Sequence, residues 1–147
     1  MEALHHDITE AGVPSCYYVL ANGVNTAYVT PTITPNTDKV QVFAGVRRSD
    51  NVGYDVLIET STSFDANNGT ATIGSTAQWI FGSKGTAGTT AAFSATAPIT
   101  NVITGLGDIS GDRATLRVNG TQVAQSTADQ GTGNYLAYPA YIYARGG

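Results

Sequence analysis

Hydrophobic and polar residues alternate in short runs along this chain, and no segment repeats its apolar positions at a helical spacing. Val40, Val42, Ala44 and Val46 share one face of a predicted central strand, with Gln41, Phe43 and Gly45 on the other. The polar turn Ser49-Asp50-Asn51 leads to a second run, in which Tyr54, Val56 and Ile58 alternate with Asp55, Leu57 and Glu59. The clearest unit is the run from Ala114 to Gln125. Asn119-Gly120 stands between two alternating runs, and both residue types accept the positive φ that a two-residue type I′ hairpin turn requires. Counting outward from that turn sets Val118 against Thr121, Arg117 against Gln122 and Leu116 against Val123. Leu116, Val118 and Val123 then form a dry face, and Thr115, Arg117 and Gln122 a wet one.

Shorter strands are predicted over residues 16–20, 27–30, 70–73, 78–81, 92–95, 99–104 and 140–144. Pro31 and Pro35 make residues 30–37 an edge or a loop, and Asn67-Asn68-Gly69 a turn. Residues 82–91 and 129–134, small and glycine-rich, read as surface loops. Residues 1–15, with a possible helical turn followed by Gly12-Val13-Pro14, read as an N-terminal arm, leaving 16–147 as one domain. Roughly ten short strands at regular spacing predict an all-β fold, an antiparallel β-sandwich or jelly roll.

Composition strengthens that reading. Charged residues are 12% of the 147, and eight tyrosines, seventeen glycines and frequent threonines suit pleated strands and turns. Eleven acids against seven bases give a net charge of −4, and no basic cluster exceeds Arg47-Arg48, which argues against nucleic-acid binding. No apolar run approaches the roughly 20 residues of a membrane span, and the N-terminus has no basic-then-apolar pattern of a signal peptide. Cys16 has no partner for an internal disulfide and reads as a small buried hydrophobe.

Candidate chemistry is thin. His5-His6 lacks further ligands at metal-binding spacing. Asp108-x-Ser110-x-Asp112 begins like a calcium loop, making Asp108 and Asp112 weak calcium candidates, but Arg113 and Asn119 stand where a glycine and a bidentate glutamate are needed. Gly82-Ser83-Lys84-Gly85-Thr86 does not follow the order of a phosphate loop. Asp55 and Glu59, on one strand face, would be roughly 13 Å apart, too far for a glycosidase pair. No catalytic residue is proposed. Trp79, Tyr135, Tyr138, Tyr141 and Tyr143 could stack on sugar rings or pack in a subunit interface.

Several of these runs together resemble a known module. Leu116-Arg117-Val118-Asn119-Gly120 to Val123, Asp129-Gln130-Gly131-Thr132-Gly133-Asn134-Tyr135 and Tyr138-Pro139-Ala140-Tyr141-Ile142 look like the C-terminal half of a laminin-G-like (concanavalin A-like) lectin module, in the variant found in bacteriophage virion proteins. Asp38-Lys39-Val40 to Arg47 and Asn101 to Asp108 fit the same variant, so the resemblance spans about Asn22 to Gly147. Such modules usually carry a phenylalanine-aspartate-glycine turn where this chain has Ala21-Asn22-Gly23, and a glycine with two arginines where it has Tyr143-Ala144-Arg145. They also run on into one more strand that closes the sheet. The resemblance therefore implies a sandwich with an exposed ladder edge that a neighbour covers. It implies a non-enzymatic virion structural protein at the particle surface, made in the host cytoplasm, with other virion proteins or copies of itself as partners. The alternative it implies is a carbohydrate-binding module for a host surface glycan, with calcium as the one conceivable cofactor.

Overall fold

The computed structural model describes residues 5–7, 16–19, 21, 27–61 and 68–144, and among these it contains strands and no helix. Twelve strands run in the order β1 (His5–Asp7), β2 (Cys16–Tyr18), β3 (Tyr28–Val29), β4 (Lys39–Arg48), β5 (Tyr54–Glu59), β6 (Gly69–Ser75), β7 (Gln78–Lys84), β8 (Gly88–Ser94), β9 (Ile99–Asp108), β10 (Arg113–Val118), β11 (Thr121–Ser126) and β12 (Tyr141–Ile142). Ten of them form two sheets, ordered β11-β10-β9-β4 and β3-β12-β5-β6-β7-β8, antiparallel throughout. β1 and β2 pair separately, Asp7 opposite Cys16, so residues 5–7 of the expected arm are a strand. The side chains of His5, His6 and Cys16, and the predicted turns at Asn22 and Asn67, lie outside the described residues.

The alternation seen in the sequence explains why the sheets stack. β11 lies over β8 and β10 over β7, and between the layers sit Leu57, Trp79, Phe81, Ala91, Ile103, Ala114, Leu116 and Val118, all buried. Phe81 is fully buried, and its ring lies where a side chain at position 105 would stand, so only Gly105 on β9 leaves it room. Val56, Ala71 and Ile73 form a second buried cluster on the other face of the six-stranded sheet.

Local readings change at three places. β4 is the outermost strand of its sheet, not a central one: its alternation reports one buried face but not whether both ladder edges are paired. Ser49-Asp50-Asn51 accordingly carries the chain from one sheet to the other instead of closing a hairpin. Residues 82–91 are largely the β7–β8 hairpin, turning tightly where Gly85 N–H bonds to Ala87 C=O; Ser83, Thr89 and Thr90 are strand residues, and Thr86 is in the turn.

Candidate functional site

The Asn119-Gly120 turn forms as its chemistry requires, with φ of 50° and 83°. Asn119 also caps the next strand. Its backbone N–H donates to Val102 C=O at 2.8 Å, and its Oδ1 accepts the Val102 N–H at 2.8 Å. Four residues beyond the turn the pairing slips, so that Leu116 faces Ala124 instead of Val123, a β-bulge at Val123. Strict alternation would turn Gln125 inward. The bulge turns it outward, opposite Thr115, on the same face as Gln122, and Gln122 Nε2 donates to Gln125 Oε1 at 3.2 Å.

The outward face of the four-stranded sheet can then be mapped by register. One row across it is Gln125, Thr115, Leu106, Gln41; the next is Gln122, Arg117, Thr104, Phe43. Arg113, Asp108 and Lys39 close one end, and with the first row, Arg117 and Gln122 they line a shallow groove of ≈ 500 Å³, Phe43 lying outside it. Phe43 is 72% exposed, the largest bare aromatic face on this surface. Asp108 accepts from Lys39 Nζ at 2.8 Å and from Arg113 Nη2 at 3.1 Å, and also from the Gly111 N–H. The Lys39 hydrogen bond, more than the others, holds the Asp108 carboxyl below the usual carboxylate range, and the same bond raises Lys39. A cation at Asp108 would have to displace two of the protein's own cations. Asp112, at φ 48°, accepts the Gln130 N–H. The weak calcium candidates are thus engaged in holding turns, and no group of three metal-ligating side chains occurs among the described residues.

The predicted aromatic set does not converge. Trp79 is 1% exposed, its indole N–H donating to Asn101 Oδ1 at 3.0 Å and one ring face covered by the Arg48 guanidinium, 5.7 Å from the centroid. Arg48 is itself buried, with Nη1 on Gln78 C=O and no hydrogen-bond partner for Nε or Nη2. Tyr135 is 4% exposed, its hydroxyl 2.6 Å from Ser83 Oγ, which also meets the buried Gln130. Burial pushes its phenol up to about 12. Neither ring has a face free for a sugar, which corrects the stacking expectation for both. Tyr138, Tyr141 and Tyr143 are half-buried. Tyr143, at φ 58°, leaves the strand alternation and packs on the core, so it does not share a face with Tyr141. A bulge at Leu57 likewise parts Asp55, opposite Gly74, from Glu59, opposite Ala71, on different sheet faces.

No protein-family model matches this chain, and no curated protein sequence is significantly similar to it. Solved structures are. Domains LG4-5 of the mouse laminin alpha1 chain superpose with a TM-score of 0.62 at 17% identity, over 81% of this chain and 31% of that one. The fold is a laminin-G-like β-sandwich. The binding domain of botulinum neurotoxin serotype C1 superposes at 0.54 and 11% identity, over 71% of this chain and 26% of that one. This chain thus spans less than a third of either neighbour, and at these identities the likeness is one of fold.

A second feature of this sandwich lies along β4. Val102 turns its N–H and C=O toward Asn119, so Ile103 turns its own toward β4, and Ala44 opposite it bonds back. Alternation then directs the backbone groups of Gln41, Phe43 and Gly45 away from β9, where no described strand meets them. Beneath this edge is an apolar groove of ≈ 150 Å³ lined by Phe43, Ala44, Gly45 and Val46 from one sheet and by Leu57, Ile58, Ile142 and Tyr143 from the other.

Proposed function

We propose that the chain is a non-enzymatic structural module of a bacteriophage particle, held at the virion surface and joined to its neighbours through the edge of the four-stranded sheet that no described strand pairs. The observation that carries this reading is β4, a ten-residue outermost strand with an uncharged centre and Phe43 72% exposed. Long edges are normally blunted by a proline, a bulge or an inward charge; β4 has its charges at its ends, Lys39, Arg47 and the inward Arg48, and its centre Val40–Val46 has neither proline, bulge nor charge. The resemblance of residues 38–47 and 101–142 to the phage variant of the fold supplies the particle. Amine-reactive cross-linking of purified particles carrying the chain checks it: Lys39, at one end of β4, becomes linked to a different subunit. A chain absent from the purified particles overturns the reading.

The outward face of the same sheet favours a second reading, carbohydrate binding. Gln41, Arg117, Gln122 and Gln125 offer planar hydrogen-bonding groups on the same sheet face as the exposed ring of Phe43, a combination suited to a sugar's polar rim and apolar face. An array of bacterial polysaccharides tests it. Binding that disappears in Phe43→Ala and Arg117→Ala supports the reading; an array with no bound glycan contradicts it.

A further inference from the structure

The two sheets of the sandwich are unequal, four strands against six. With β11 over β8 and β10 over β7, the smaller sheet runs out at β4, while β12 and β3 continue beyond it. They form a shelf under the free edge. Ile58, Ile142 and Tyr28 make one row across this shelf, and Tyr28 is 39% exposed. Ile58 and Ile142 floor the apolar groove, and the small side chain of Ala44 leaves it open from above.

We propose that the free side of β4 and this shelf form a strand-acceptor site that takes one extended segment of another polypeptide. The proposal rests on the joining role described above and names the partner's chemistry. Six backbone groups, those of Gln41, Phe43 and Gly45, set the hydrogen bonds of an added strand. Its inward side chains fall opposite Ala44 and Val46, so they are apolar and two residues apart. The groove matches in volume a dry cavity of about 150 Å³ that can hold a benzene-sized group, enough for one isoleucine or leucine side chain. Val40–Val46 is uncharged, so the segment is uncharged where it crosses the centre of the edge.

A second copy of this chain is a poor occupant. Bringing β4 of another copy into register would bring its own β12 and β3 into the layer already filled by the first copy's shelf. Only a strand that arrives without a sheet beneath it fits. β-Strand addition of this kind gives affinity through the main chain and selectivity through alternate side chains.

The experiment is calorimetric titration of the intact chain with a short peptide of alternating isoleucine and threonine. Amide exchange at Gly45 is followed in the same samples. Gly45 points outward, has open space at its Cβ and spends no N–H on β9, so Gly45→Pro removes one edge donor and leaves the native ladder intact. Gly45→Ala is the control. The expected result is binding to the native chain and to Gly45→Ala, weakened about tenfold or more in Gly45→Pro, with Gly45 amide exchange slowed only when peptide is present. A scrambled peptide in which the isoleucines are consecutive does not bind. If Gly45 is already protected without peptide in a monomeric chain, its own residues fill the site and the proposal is overturned. Self-association that Gly45→Pro abolishes, without peptide binding, overturns it in favour of a second copy while leaving the joining role standing. A monomer with an unprotected edge that ignores the peptide overturns it as well.

Discussion

Along the β8–β11 side of the sandwich the two sheets end together, strand over strand, with Thr89 Oγ1 and Ser126 Oγ 2.5 Å apart across the gap. β11 is six residues long and carries the bulge at Val123. Along the β4–β12 side the smaller sheet ends early, its last strand is ten residues long and unbulged, and an apolar groove opens under it. β11 has a bulge of the kind that keeps natural sheets from pairing with strangers, and the centre of β4, between its charged ends, has none. The same hydrophobic alternation built both. The difference lies in what the backbone at each edge is left to do among the described residues, and the proposed contact along β4 rests on it.

The largest expected contrast is in packing. Phe81→Ala, in the sealed half, costs about 3–5 kcal/mol in urea unfolding, because Gly105 and Leu116 cannot collapse into the space. Ile142→Ala, on a half-buried residue beside an existing groove, costs about 1 kcal/mol. Equal losses would mean that the groove is as tightly packed as the core.

Next is the polar plug at one end of the sealed half. Tyr135→Phe removes the hydroxyl shared with Ser83 and lowers stability by about 1–2 kcal/mol. The folded phenol titrates near 12, above the unfolded value of about 10, so its contribution is complete below pH 10 and disappears as pH rises through 12. Stability measured across that window falls in the native protein, and the fall is smaller in Tyr135→Phe. A smaller effect has the opposite sign with pH. The folded Asp108 carboxyl sits below its unfolded value, so its contribution is present above the ordinary carboxylate range and fades as pH falls through the lower folded value. Asp108→Asn flattens this acid limb. Smallest is Gly45→Pro, which changes stability by less than about 0.5 kcal/mol. Proline at Ala44, whose N–H bonds to β9, is far more damaging.

Much of the architecture could be read from local pattern, because an alternating run reports its own buried face. Asn119-Gly120 announced its hairpin, and Val40–Val46 and Tyr54–Glu59 their strands. Facts that depend on a neighbour were hidden. Val40–Val46 looks the same whether one or both of its edges are paired, and a bulge of one residue, at Val123 or Leu57, reverses the faces of everything beyond it. The outward platform was missed for that reason, since Gln125 joins Gln122 only through the bulge. Trp79 and Tyr135 read equally well as ligand stackers or core; Asn101 and Ser83, distant in sequence, put them inside. Gln130 sits in a glycine-rich stretch that reads as exposed, yet it is fully buried.

The most direct test of the asymmetry is residue-resolved amide hydrogen exchange along β4 in the native chain alone. The account predicts a strict alternation, with Val42, Ala44 and Val46 protected by β9 and Gln41, Phe43 and Gly45 exchanging as rapidly as exposed loop amides. Uniform protection of all six would show that the edge is already paired and would contradict it.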